Sequence, residues 1–212
     1  MKSIKDELQH IILRDGPIGE TSQLKKTQSF LRGYAEASFF PEKQQQFQNK
    51  ETAAILAYAT RENLFYEELI HESDFLSEGA EQKVYRFDNA YVIKTNRGVF
   101  YESWLDYFNS LLVHNFFFPT TAYSFLGFKT IGEELYAVVK QEFVVTSQPT
   151  DLGAVRKFLE YNGFENTRNN DYLHRELGLI FEDLHDENVL SNNGILFFVD
   201  TVFYLTPDFY NV

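Results

Sequence analysis

There is no cysteine in the 212 residues, so neither a disulfide framework nor a Cys-ligated zinc site is available to the chain. That absence fits a reducing compartment, and the expected location is cytoplasmic. Positive charge is also in short supply: 19 Lys and Arg stand against 31 Asp and Glu, a formal net charge of −12. Nucleic acid and anionic membrane surfaces both demand a basic footprint, so neither is the expected partner. No apolar run approaches the roughly 20 residues of a membrane-spanning helix, and the charged opening MKSIKDELQHIILRDG does not read as a secretion signal. No Gly-x-Ser-x-Gly motif occurs, which argues against a serine hydrolase. What the chain does have is aromatic bulk. With 22 Phe, 13 Tyr and 44% hydrophobic residues it can bury a substantial core, as one large domain or two small ones.

The texture changes near residue 72. Before it, the pattern is helical. Ser3 can cap a helix with Ile4, Leu8, Ile11 and Ile12 on one face, ended by Gly16-Pro17. A second helix is expected from about Thr21 to Ala37, a polar break over 41–51 (PEKQQQFQNKE), and a third helix from about Thr52 to Glu62. From Asp74 the pattern is β-rich: strand, turn and strand through Val84, Tyr85 and Phe87, a turn at Asp88-Asn89, then YVIK. Phe100, Trp104, Tyr107, Phe108, Leu111 and Leu112 recur at helical spacing up to Pro119. Two strand-like runs follow (TAYSFLGF and ELYAVVKQEFVV), then a helix capped by Thr150, a polar connecting stretch NTRNNDY, and a final loop and hairpin.

That last stretch, FEDLHDENVLSNNGILFFVD, concentrates the chemistry. Asn193-Gly194 between apolar runs is a strong signal for a two-residue hairpin. Folding ILFFV back along NVL returns Asp200 to the neighbourhood of Asn188, itself five residues after Asp183. The plain alternative is a solvated acidic loop ahead of a surface hairpin. His185, between Asp183 and Asp186, invites a transition-metal reading, but no second nitrogen ligand is evident nearby. His114 reads as a helix-end cap or a packing residue.

The order of elements, with the phrases GAEQKVY, HNFFFPTTAY and DLHDENVL, resembles the protein-kinase-like fold. The nearest resemblance is to the kinase domain found in polyvalent proteins of phages and conjugative elements, and more distantly to aminoglycoside phosphotransferases. It covers residues 74 to about 204 and leaves out the N-terminal helices. It implies an α+β, two-lobed kinase-like fold, with an N-lobe and its antiparallel sheet at 73–145 and a reduced C-lobe at 146–212; the helical region at 1–72, which it does not cover, is expected to pack on that core, with an independent module as the alternative. It also implies ATP and magnesium as cofactors, a bacterial mobile-element context, and an acceptor, protein or small molecule, that the sequence does not name.

Site roles follow from the same resemblance. Asp183 would be the catalytic base or orienter of the acceptor hydroxyl, with Asn188 and Asp200 as magnesium ligands. Lys94 would contact the α and β phosphates and be held by Glu102, expected in the first turn of the following helix, with Asp106 one turn on. Gly79 is the one glycine left in a phosphate-binding loop, where Ser77 and Gln82 stand at the other two positions and Glu78 and Glu81 add negative charge. KQEFVV resembles a hinge, with Gln141 as gatekeeper and the backbone of Glu142 and Val144 facing the adenine edge. Phe181-Glu182 precede Asp183 where protein kinases carry His-Arg, and Thr201-Val202 follow Asp200 in place of Phe-Gly. Little chain follows Asp200, so the lower lobe is expected to be incomplete. Intact Lys94, Asp183, Asn188 and Asp200 favour a phosphotransferase. The eroded glycine loop favours the rival, a pseudokinase serving as a nucleotide-binding or scaffolding module. Nucleotidyl transfer is a third possibility.

Overall fold

The computed structural model describes residues 3–14, 22–37, 44–79 and 82–211, with side chains described at all of these except 44–48. Helix α1 spans Ile4–Leu13. Ser3 accepts from the Asp6 amide and Asp6 returns a bond to the Ser3 amide, a capping box that satisfies two amide donors at the helix start. Leu8 and Ile12 of the expected apolar face are buried, whereas Ile4 is 55% exposed. The expected stop at Gly16-Pro17 lies outside the described residues, as does Thr21. Helix α2 runs Gln23–Ala37.

Helix α3 runs Gln44–Glu62, so most of the expected polar break is helix; residues 41–43 lie outside the described residues. Gln, Lys and Glu are good helix formers, and 44–51 contains no glycine or proline to stop the helix. A polar run is not by itself an irregular one.

Contacts divide the chain into two compact units. One, the five-stranded unit, comprises Pro17–Phe108 and Tyr123–Phe143. Its strands are β1 (Phe75–Glu78), β2 (Gln82–Arg86), β3 (Tyr91–Asn96), β4 (Ser124–Ile131) and β5 (Glu134–Glu142), antiparallel in the order β1-β2-β3-β5-β4. Helix α4 (Trp104–Phe117) gives this unit its first five residues. It begins four residues later than the apolar spacing suggested, leaving Phe100 58% exposed. Trp104, Phe108, Phe125 and Phe128 form an edge-to-face and tilted aromatic core, with ring centroids 5.0–6.0 Å apart. Gly127 sits at φ 143° in β4, where a Cβ would lie 2.5 Å from the Leu64 carbonyl. Only glycine allows the paired bonds Tyr66 N to Phe128 O and Phe128 N to Leu64 O, both 2.7 Å, that bring the segment after α3 onto the sheet edge.

The other, the α1 unit, comprises Met1–Gly16, Asn109–Ala122 and Val144–Val212. It contains α5 (Leu152–Tyr161), capped by Asp151 and not by the expected Thr150. Thr150 instead donates to Val189 O at 2.6 Å. Strands β6 (Glu165–Arg168), β7 (Asp171–His174), β8 (Leu179–Glu182) and β11 (Val202–Leu205) form an antiparallel sheet in the order β11-β8-β7-β6. Strands β9 (Val189–Asn192) and β10 (Ile195–Phe198) form the hairpin expected at Asn193-Gly194, whose φ values of 50° and 79° suit that tight turn. The stretch expected to be a polar connection, NTRNNDY, is the β6–β7 hairpin. Asn169 makes its turn at φ 48°, a conformation Asn tolerates. Strand β6 is too exposed to show apolar alternation, which is why its pattern did not read as β. Helix α1 docks on the 3-10 turn Pro207–Tyr210: Lys5 Nζ donates to Asp208 O at 2.8 Å and Gln9 Nε2 to Phe209 O at 2.6 Å. Stacked rings carry the core, Phe181 on Phe203 at 4.0 Å and Phe118 on Phe198 at 4.3 Å.

Candidate active site

Strand β8 carries buried Phe181 into the core and delivers Asp183 one residue past its end. Asp183 adopts φ 63°, left-handed for a residue other than glycine, at a cost on the order of 1–2 kcal/mol. Several bonds hold it there. Its amide donates to Asp171 Oδ1 at 3.2 Å and the Leu184 amide to Asn170 O at 3.2 Å, both acceptors on the β6–β7 hairpin. The His185 amide donates back to Asp183 O at 3.0 Å. These partners hold the left-handed conformation of Asp183 in place.

Asn188 is buried, and its Nδ2 donates to Asp183 O at 2.7 Å and to Asp183 Oδ2 at 3.0 Å. These two bonds fix the amide so that Oδ1 faces away from Asp183, and Oδ1 takes no hydrogen bond among the described residues. His185 Nδ1 accepts from the Glu187 amide at 3.3 Å, and its Nε2 lies 3.1 Å from Asn188 Nδ2 and 3.4 Å from Asp183 Oδ1. The β9–β10 hairpin returns the chain as expected: Val199 N and Asp200 N both donate to Asn188 O, at 2.9 and 3.3 Å. Asp183, Asn188 and Asp200 therefore share one hydrogen-bonded loop. Burial, then the charges of Asp171 and Asp183, raise the pKa of adjacent Glu182.

Among the described residues no three His, Cys, Asp or Glu side chains cluster to hold a metal. An Asn oxygen and one carboxylate are nevertheless a fitting donor pair for magnesium, which takes one or two protein oxygens and completes its shell with water and phosphate.

In the five-stranded unit, Lys94 lies on β3 across from Val84 and Val139 and is only 4% exposed, its Nζ 5.4 Å from the Tyr123 ring centroid. Glu102 is exposed and precedes α4, so it does not occupy the first helical turn. Ser103 and Asp106 make the start of that helix, with Ser103 Oγ 2.7 Å from Asp106 Oδ2 and accepting from the Asp106 amide at 3.1 Å. Gly79 closes the β1–β2 turn with its own amide, which donates to Gln82 O at 2.9 Å. Its φ is not left-handed and open space surrounds it. Glu78 leans to Lys83 at 3.5 Å, and Glu81 lies outside the described residues. Gln141 is buried, Glu142 is the exposed last residue of β5, and the backbone of Val144 makes no hydrogen bond among the described residues.

Two groups escaped sequence reasoning. Asn170 and Asp171 brace the Asp183 loop; the Asn-Asn-Asp run was a usable turn signal. Glu51 on α3 is fully buried, and its carboxylate accepts from the Trp104 and Leu105 amides at 2.7 and 3.2 Å, capping α4 from 53 residues away. Burial pushes its pKa up to about 7, against the opposing pull of those two amides. Nothing in local spacing announces such a long-range cap.

The serine/threonine/tyrosine kinase family found in polyvalent proteins matches residues 48–207. That is most of the chain, which belongs to this family. The match begins inside α3, 26 residues before the resemblance read from motifs, so Glu51 lies within the family's domain. At the family's level the chain is a kinase-like phosphotransferase. No curated protein and no solved structure matches it.

Proposed function

We propose that this chain transfers the γ-phosphoryl group of ATP, with magnesium, to a hydroxyl-bearing acceptor, and that its fold is the two-lobed kinase-like one. The observation that carries the reading is the bonded loop of Asp183, Asn188 and Asp200. Phosphoryl transfer asks a protein for positioning and charge more than for covalent chemistry. Asp183 is exposed on a loop that its backbone bonds hold still. Its carboxylate would orient the acceptor hydroxyl and take its proton as the oxygen bonds to the γ-phosphorus and the bond to the β,γ-bridging oxygen breaks. Asn188 Oδ1 and the Asp200 carboxylate would hold magnesium, which when bound neutralises phosphate charge. Lys94 would contact the α and β phosphates with Glu102 as its partner. The unengaged backbone of Val144, with Glu142, would face the adenine edge, and Gly79 would mark the turn near the phosphates.

A thermal-shift series tests this. ATP should raise the melting temperature more with magnesium than with EDTA, and ligand at a hundred times its dissociation constant adds about 2.7 kcal/mol. No shift with any nucleotide at millimolar concentration would remove both the enzyme and the nucleotide-binding pseudokinase. Binding without turnover on Ser, Thr, Tyr or small-molecule acceptors would favour the pseudokinase, a reading supported by the glycine-poor β1–β2 turn.

A further inference from the structure

Asp200 is flanked by backbone that a separate set of buried side chains grips. Ser110 and His114 lie on the part of α4 that belongs to the α1 unit, and Thr121 lies in the 3-10 turn Pro119–Thr121 just after it. Thr121 Oγ1 donates to Phe198 O at 2.6 Å, two residues before Asp200. Ser110 Oγ accepts from the Phe203 amide at 3.0 Å, three residues after it. His114 makes the closest grip. Its Nε2 is 2.8 Å from Thr121 O, a carbonyl that can only accept, so Nε2 carries the proton. Its Nδ1 is then the acceptor for the Thr201 hydroxyl at 2.7 Å, one residue after Asp200.

Every side chain in this set is nearly closed to water: His114 0%, Ser110 1%, Thr121 1% and Thr201 4% exposed. Polar groups are placed at such depth only when partnered, and their geometry is correspondingly stiff. Asn188 O also holds the Val199 and Asp200 amides. The chain around Asp200 is thus fixed at Phe198 O, Val199 N, Asp200 N, Thr201 Oγ1 and Phe203 N.

We infer that His114, with Ser110 and Thr121, is a positioning residue for Asp200, and that the Thr201 hydroxyl is the link through which it acts. The inference rests on the reading of Asp200 as a magnesium ligand. Groups that orient a ligand without touching the metal commonly govern its affinity by tenfold to a hundredfold. An ordinary buried hydrogen bond would support the fold and leave metal affinity alone.

Two substitutions at one position separate these roles. Thr201→Val keeps the shape and removes the hydroxyl. Thr201→Ser keeps the hydroxyl and removes a methyl from the core. Each full-length protein is titrated with magnesium at fixed ATP, reading the ATP-dependent thermal shift, with its melting temperature and its ATP affinity in EDTA measured alongside. Both variants should melt lower than wild type. Half-saturating magnesium should rise about tenfold in Thr201→Val and stay within about twofold of wild type in Thr201→Ser, with metal-free ATP affinity unchanged in both. If magnesium affinity is unchanged in Thr201→Val, or follows the melting temperature in both variants, the positioning role is overturned. Should Thr201→Val fail to fold, Ser110→Ala serves, and an unaltered magnesium titration there would overturn the role equally. Wild type that shows no magnesium-dependent ATP shift would overturn this inference together with the proposed function, an outcome distinct from a responsive wild type with an equally responsive Thr201→Val.

Discussion

The Asp183–Asp200 loop and the β1–β2 turn carry roles in the same proposed chemistry but are built in opposite ways. In the loop, Asn188 is buried and directs its amide nitrogen at Asp183, and the Asp200 amide and the backbone at Phe198, Val199 and Phe203 around it are bonded. In the turn, every residue of β1 is exposed, the single glycine has nothing within 4 Å of a notional Cβ, and its amide already bonds Gln82 O. Rigidity has been placed in the Asn188 amide and in the backbone that carries Asp183 and Asp200. On the proposed function, nucleotide affinity should depend on the residues proposed to hold magnesium and little on a glycine cradle.

The largest expected effect comes from breaking the built side. Asp183→Asn keeps the shape, so the variant should bind magnesium-ATP with near-normal affinity while turnover falls a hundredfold to ten-thousandfold, the range for a positioned acid–base group. Asp200→Asn should lose both binding and turnover, because the metal supplies the charge that makes triphosphate binding favourable. ATP hydrolysis or autophosphorylation measures both. If Asp183→Asn turns over as fast as wild type, the catalytic assignment is wrong.

The built side was also the legible side. Asp183, Asn188 and Asp200 lie within eighteen residues joined by a strong hairpin signal, so short-range rules were enough to bring them together. Much of the surrounding support was not legible. His114 meets Thr201 across 87 residues and Glu51 meets Trp104 across 53, and such pairings are decided by tertiary packing that no local period encodes. The β6–β7 hairpin failed for a different reason: strands with little buried surface carry no apolar alternation. Helix α3 over 44–51 failed because a polar run of good helix formers looks like a loop when judged by hydropathy alone.

An intermediate effect tests a buried polar cap in the five-stranded unit. Glu51 has an ordinary pKa of 4.5 and a folded one of about 7, so the unfolded chain gives up this proton first as pH rises. Its contribution to stability is therefore complete below about 4.5 and is lost as pH rises to about 7. The shift corresponds to at most about 3 kcal/mol. Burial raises the pKa of nearby Asp106 as well, with the same sign. Glu51→Gln mimics the protonated acid. Its stability relative to wild type should grow from pH 5 to pH 8 in denaturant melts. A wild type that gains on the variant over that range would mean that the charged carboxylate is the preferred cap and that its burial costs little.

The smallest effect is expected at Gly79, and it sharpens the comparison most directly. In a phosphate-cradling turn, glycine is needed for a left-handed φ or for close approach of the backbone to a ligand. Gly79 has neither a left-handed φ nor a crowded Cβ position, and its amide is occupied. Where glycine is not required, alanine restricts the unfolded chain and stabilises by about 0.4–1 kcal/mol. Gly79→Ala should therefore melt at or slightly above the wild-type temperature, and its affinity for magnesium-ATP should change less than about threefold, under 0.7 kcal/mol. A loss of tenfold or more in ATP affinity with an undiminished melting temperature would show that phosphate packs against this turn, and that the turn shares the work assigned above to the Asp183–Asp200 loop.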